Sequence, residues 1–361
     1  FRGKYLWGFL LTTVAMGLEL TANHIQMTYY LLLLVVCIGF AYLIEAVKKK
    51  TMPHFFTSVG IMILGVLLAL GLNATNLLAT KEYADTSTRG NSDLTINPDG
   101  TPKLDKEGLD YEYITTYSYG KLETFNLLVP RFMGGGSSEP FPEDSATEDA
   151  LLKMGATPQQ AKDTLYQIPL YWGDQPILEA PAYVGVVVVF LALLALFLSW
   201  NNNKRWLLFG IILSLTLSWG KNFSFLTQFF IDYVPMYSKF RAVSSIQVIL
   251  ELAFPVLATV GLYEYFQASK KVRNKALIIT TFSFFGLGLF LLIIKGFHSF
   301  EGASDSYYKQ VFGAEIMQQV YYARKAIYTE DINRLFLFVT LTGGTLLAFT
   351  YNNLKANVAL G

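Results

Sequence analysis

Eight apolar stretches alternate with polar segments along the chain, at 5–22, 28–47, 55–79, 182–200, 206–219, 242–266, 276–295 and 334–351. A membrane-spanning helix needs about 20 mostly apolar residues, so the pattern predicts an all-α polytopic membrane protein of about eight transmembrane helices. The fifth stretch is short, since fourteen residues at 1.5 Å each cover about 21 Å. It either continues through Trp219-Gly220 or ends within a cavity. The following segment, Asn222 to Tyr237, is rich in Phe and Tyr and suits an interfacial or re-entrant helix.

The polar segments divide the chain into three parts: helices one to three over 1–79, an insertion over 80–181, and helices four to eight over 182–361 with amphipathic segments between them. An insertion of about a hundred residues is too long for a structureless connection, so it is expected to be functional. Leu94-Thr-Ile-Asn97 before Pro98-Asp-Gly100 reads as a strand entering a turn, and Tyr111–Tyr119 is aromatic and β-prone. Ser145-Ala-Thr-Glu148 and Thr157-Pro-Gln-Gln160 fit helix-capping boxes. The insertion is therefore expected to be mixed α/β. Gly134-Gly-Gly136 predicts a mobile loop or a close backbone approach to a ligand. A further aromatic stretch, Tyr307–Ile327, is expected to lie on the membrane surface.

Charge orients this pattern. Only 15% of the 361 residues are charged, against about 25% in soluble domains. Lys and Arg cluster in every second polar segment: Arg2 and Lys4; Lys48 to Lys50; Lys204 and Arg205; Lys270, Lys271, Arg273 and Lys275; and Lys355. Cytoplasmic loops hold excess Lys and Arg, so the chain is expected to enter from the cytoplasm, with the insertion outside. For a bacterial inner membrane the insertion is then periplasmic. The basic residues form no concentrated face of the kind that binds nucleic acid. The single cysteine, Cys37, excludes an intrachain disulfide. The chain begins with Phe1 at a membrane boundary and is read as the interior of a longer polypeptide.

Four groups of residues are candidates for chemistry. His24, Gln26 and Tyr29 crowd a polar turn, with Glu19 one helical turn earlier, where they could line a headgroup or sugar pocket or simply cap two helices. Lys221, Lys239 and Arg241 are basic residues against the prevailing charge bias. Arg241 stands at a helix start, which suits a phosphate; neutralising nearby carboxylates is the plainer role. Arg89 could join that anion site or remain in a solvated loop. Glu251, read as near the middle of the sixth helix, is a functional candidate by depth alone. Asp85 and Asp93 are candidates for a divalent cation, although isolated acids in polar loops are usually solvated. No Cys/His metal pattern, P-loop or dinucleotide fingerprint occurs.

The blocks NHIQMTYY, NATNLLATKEYADTSTRG, SYGKLETFNLLVPRFMGGGS, LSWGKNF and MYSKFRAVSS together resemble the YfhO-like bacterial membrane proteins of Bacteroidetes type, over essentially the whole chain. That family is similar to the GT-C class of multi-spanning glycosyltransferases. The resemblance implies transfer of a sugar from a polyprenyl-phosphate donor to a cell-envelope glycan acceptor, within membrane lipid and on the external face. It implies a catalytic acid in a first external loop that would precede Phe1. A lipid or solute transporter, or flippase, using Glu19 and Glu251 is a rival reading; a non-enzymatic membrane scaffold is another.

Overall fold

The computed structural model describes residues 3–90, 96, 100–101, 108–142 and 145–351. In chain order the helices are α1 (Tyr5–Thr21), α2 (Ile25–Lys49), α3 (Met52–Leu72), α4 (Ala74–Asp85), α5 (Tyr111–Thr115), α6 (Ala146–Lys153), α7 (Pro158–Gln167), α8 (Val186–Leu198), α9 (Asn202–Ser218), α10 (Ser224–Tyr233), α11 (Val248–Gln267), α12 (Lys270–Ile294), α13 (Asp305–Phe312) and α14 (Ala314–Thr350). Short 3-10 turns occupy Leu122–Leu127, Gly220–Phe223, Tyr237–Lys239, Val243–Gln247 and Lys295–Phe297.

Five of these helical segments are long and apolar enough to cross a membrane: Ile25–Lys49, Met52–Leu72, Val243–Gln267, Lys270–Phe297 and Ala314–Thr350. They are compatible with a multi-pass membrane protein. Apolar side chains also face outward, among them Leu32, Val36 and Phe40 on α2 and Ile63, Leu64 and Leu67 on α3. Such a surface suits lipid and is unusual in water. The other three expected spans are shorter, with 17 residues in α1, 13 in α8 and 17 in α9. The third expected span, 55–79, is broken at Asn73 between α3 and α4.

The expected mixed α/β insertion is corrected. No β-strand occurs among the described residues, and the described part of the insertion is built from helices and turns. Tyr111–Thr115 is helical because Ile114 and Thr115 turn into the core. The expected strand at Leu94–Asn97, with its turn to Gly100, lies largely outside the described residues, as do Asp93, Arg2 and Lys355. Of the two expected capping boxes, the one at Thr157 forms in full and the one at Ser145 only on its N-cap side. Ser145 accepts from the Glu148 N–H, and Thr157 and Gln160 make a reciprocal box with Pro158 inside the first turn.

The chain divides into two compact units, 1–116 with 201–249, and 117–200 with 250–361. In the first, α1 packs on α3 and α2 on α9. The Asn73 side chain donates to Ala69 O in α3 at 3.0 Å and to Gly17 O in α1 at 3.3 Å. Ser214 of α9 donates to Ile246 O at 2.7 Å. Inside a bilayer, packing and such interhelical bonds hold helices together, because lipid is as apolar as leucine. The core of this unit includes Tyr29, Tyr30, Leu34, Ile114, Leu217 and Tyr237.

In the second unit α8 and α14 pack on α12, while α6 and α13 pack on α14. The 37 residues of α14 cover about 55 Å, well beyond a hydrocarbon core of about 30 Å. Its charged residues end at Arg334, and 335–350 carries none. The stretch Tyr307–Ile327 is divided between two helices. It breaks at Gly313 between α13 and α14, and its second half runs on directly into the apolar half of α14.

Two arginines pin this unit. Arg324 is fully buried. Its Nε donates to Leu170 O, Nη1 to Phe300 O and Asp305 Oδ2, and Nη2 to Pro169 O and Asp305 Oδ1, at 2.5–3.1 Å. All five donors of the guanidinium are used. Arg131 grips Asp331 through its backbone N–H at 2.9 Å and its side chain at 2.5 Å. The Asp331 carboxylate bound to it is the main reason that the Arg131 guanidinium holds its proton above the usual range.

The three glycines after Arg131 are not a mobile loop; Phe132–Gly136 is buried. Gly134 has φ +87°, and a Cβ there would sit 1.9 Å from Leu170 O. The close approach is to the protein's own backbone. Trp172 N donates to Met133 O at 2.9 Å, and Ser137 N to Leu178 O at 2.7 Å.

Candidate functional site

The candidate site lies in the first unit and is assembled from four stretches: the start of α2, the turn after α4, α5, and the segment 235–242 that precedes the 3-10 turn before α11. Asn23 makes the entry to α2. It adopts left-handed backbone, φ +51°, and its amide donates to Thr80 Oγ1 at 3.1 Å. His24 caps the helix, its Nδ1 accepting from the Met27 N–H at 3.4 Å. One turn earlier, Glu19 accepts from Thr28 Oγ1 at 2.8 Å, while its other carboxylate oxygen is buried without a hydrogen bond.

Helical spacing then puts Gln26 and Tyr30 on one face. Gln26 Nε2 donates to Tyr30 Oη and to Arg241 O, each at 2.8 Å. Tyr29 Oη donates to Pro235 O at 3.1 Å, and its ring packs against Phe240 at 5.1 Å. Burial, with the hydroxyls of Tyr30 and Tyr29 beside it, pushes the Tyr237 hydroxyl well above its ordinary range, so it stays neutral.

The segment 236–242 is bent at both ends. Met236 and Ala242 have φ +66° and +55°, and non-glycine residues in that region cost about 1–3 kcal/mol each. Between them, Ser238 O accepts from Leu109 N at 2.9 Å. Gly108 there has φ +108°, and a Cβ would lie 2.8 Å from Ser238 Oγ.

The cations sit on this frame. Arg89 Nε donates to Lys239 O at 3.1 Å, and Lys239 Nζ to Arg89 O at 2.9 Å. Two residues on, Arg241 Nη1 donates to Tyr113 Oη at 2.7 Å, and the guanidinium lies 5.5 Å from the centre of that ring. Among the described residues no carboxylate pairs with Arg89 or Arg241. A guanidinium carries five donors in a planar fork, and Arg241 engages one nitrogen, so most of its donor capacity faces outward.

Gln26, Tyr29, Arg89 and Arg241 are thus joined by one network, with His24 at its edge. Lys221 is exposed in the 3-10 turn after α9 and is not among the residues these contacts join. Glu251 is exposed in the first α-helical turn of α11, not at mid-helix. Its backbone carbonyl lacks the usual helical donor because Pro255 follows four residues later. After the 3-10 turn, α10 turns Phe225, Phe229 and Tyr233 outward and buries Thr227, which donates to Gly220 O at 2.9 Å. Among the described residues no three of His, Cys, Asp and Glu gather as a metal site.

Sequence reading missed Tyr113, the aromatic partner of Arg241. It also missed Glu123 in the second unit, which is fully buried and accepts from Tyr171 Oη, from Asp174 N at 2.6 Å and from Gln175 Nε2 at 3.2 Å. Burial pushes its carboxyl above the usual range, although the hydrogen bonds from Tyr171 and the Asp174 backbone pull the other way. The arrangement is a closed structural knot. Comparisons with protein families, with curated proteins and with solved structures give no match to the chain.

Proposed function

We propose that the chain is the membrane core of a GT-C-type glycosyltransferase, in which Arg241 and Arg89 hold the phosphate of a polyprenyl-phosphate sugar. The observation that carries this reading is the two guanidiniums with no carboxylate partner among the described residues, Arg241 held against Tyr113 and Arg89 on the Lys239 carbonyl, in the segment whose Phe240 packs on Tyr29. Charge-assisted bonds from arginine suit a phosphate, and the aromatic rings suit the start of an isoprenoid tail or a sugar face. The resemblance to the YfhO-like family supplies the reaction class.

In that reaction an acceptor hydroxyl attacks the anomeric carbon, and the bond to the phosphate oxygen breaks. The leaving lipid phosphate gains negative charge as the bond lengthens. Fixed donors aimed at that charge lower the barrier most effectively. Gln26 positions the backbone of Arg241, and Lys239 that of Arg89. A carboxylate acting as general base would take the acceptor's proton. In this reading the site faces the periplasm of a bacterial inner membrane, and the acceptor is a cell-envelope glycan. Binding of a polyprenyl monophosphate to the purified protein, with Arg241→Gln as the decisive variant, tests the proposal.

A further inference from the structure

The opposite end of the first unit holds a separate cavity. There the last turn of α2 meets the first turn of α9, around an open cavity of about 610 Å³ lined by Tyr42, Glu45, Lys48, Lys49, Asn202 and Arg205 among others. A smaller cavity of about 250 Å³ shares Tyr42, Glu45 and Lys49 and reaches His54 at the start of α3. The 25 residues of α2 separate this end from Gln26 by roughly 35 Å, so it is independent of the arginine site above.

The cavity is built with an excess of positive charge. Lys48, Lys49 and Arg205 face one carboxylate, Glu45, which already pairs with Lys49 and accepts from the Asn202 amide. Arg205 Nη1 donates to Asn202 Oδ1 at 2.6 Å, which orients the guanidinium and leaves its other nitrogens to a ligand. Asn201 caps α9 by accepting from the Lys204 N–H at 3.1 Å, and Lys204 itself is fully buried. Glu45, Lys49, Asn202 and Arg205 are therefore held by contacts with one another, while Lys48 stands exposed at the rim. The volume lies within the range of small-ligand sites, and the walls are the ends of apolar helices.

We propose that this cavity binds a phosphate group, carried either by an anionic phospholipid headgroup or by a soluble phosphate. Basic pockets between membrane helices recognise lipid phosphates through the same charge-assisted bonds. Tyr42 lines the cavity beside these charges, and tyrosine rings suit the boundary between headgroups and acyl chains. Such a ligand would bridge α2 and α9 at the Lys-rich end.

The test uses the whole protein in phosphatidylcholine nanodiscs, with and without added phosphatidylglycerol. Retained lipid is counted by native mass spectrometry, and thermal stability is followed in parallel. Phosphatidylglycerol is expected to be retained selectively and to raise the melting temperature. Lys48→Gln and Arg205→Gln should each weaken that retention about tenfold or more, while Lys162→Gln on α7 should not. Lys48 is exposed, so its variant remains informative if Arg205→Gln folds poorly. Displacement of the lipid by inorganic phosphate, with the same dependence on Lys48 and Arg205, would support the site and assign it to a soluble phosphate. Equal retention of both lipids, or phosphatidylglycerol retention unchanged in Lys48→Gln, would overturn the proposal.

Discussion

Gln26 and Arg241 are 215 residues apart in sequence and are joined by a 2.8 Å hydrogen bond from the Gln26 amide to the Arg241 carbonyl. The same amide nitrogen also donates to Tyr30 Oη. The first turn of α2 therefore sets the backbone position of Arg241, while the guanidinium is placed separately against Tyr113. Two elements distant in sequence thus fix the fork in both position and direction.

Replacing Gln26 by Ala should remove both bonds at little cost in packing. At about 0.5–1.5 kcal/mol for each bond, a net loss of roughly 1–3 kcal/mol is expected, seen as a fall in melting temperature. Affinity for polyprenyl phosphate should fall as well, because the backbone that carries the guanidinium is then no longer fixed by α2. A stability loss with full retention of affinity would show that the bond serves folding alone.

Arg324→Leu should be severely destabilising. It leaves Asp305 buried without its cation and the carbonyls of Pro169, Leu170 and Phe300 without donors. Breaking a buried pair from one side costs about 3–5 kcal/mol. Thermal denaturation in detergent checks this, and a change under 1 kcal/mol would place the pair in the class of weak surface bridges.

Gly134→Ala should also destabilise the second unit, since its Cβ would meet Leu170 O and its φ is positive. The wild-type protein should resist proteolysis at 132–136, where the chain is buried. Rapid cutting there would contradict the packing around Trp172 and Met133.

Glu123 predicts a pH dependence. Its native pKa is raised above the ordinary 4.5, chiefly by burial. Folding thus favours the protonated form, and the resulting stability is fully present below pH 4.5 and is lost as pH rises through the raised native value. The stability difference between the wild type and Glu123→Gln should change with pH across that window, with the wild type losing ground as pH rises. A difference independent of pH would mean that Glu123 has the same pKa folded and unfolded.

Much of the helical framework was legible in the pattern. The long apolar runs became α2, α3, α11 and α12, and Ser145 and Thr157 announced α6 and α7 by their caps. Tyr111–Tyr119 misled because aromatic and β-branched residues suit strands on average. Here they serve two directions of a helical turn, Ile114 to the core and Tyr113 to Arg241. The full length of α14 was hidden by the charges of its first half, where Arg324 and Asp331 are turned inward. The site was half legible. The polar turn at His24–Gln26 and the odd placement of Arg241 were visible, but no spacing rule links Gln26 to position 241 or Tyr113 to the same guanidinium. The glycines at 134–136 signalled close approach correctly, while the partner was Leu170 rather than a ligand.

The most direct test is polyprenyl monophosphate binding to the purified protein in neutral-lipid nanodiscs, comparing wild type, Arg241→Gln, Arg241→Lys and Arg89→Gln with thermal stability measured alongside. Each charge-assisted bond contributes about 1.5–3 kcal/mol, so each Gln variant should bind roughly ten- to more than a hundredfold more weakly. Arg241→Lys should also bind less well, because a point charge cannot reproduce the planar fork over Tyr113. Unchanged affinity in both Gln variants, at unchanged stability, would contradict the account and leave the cluster a structural feature of the fold.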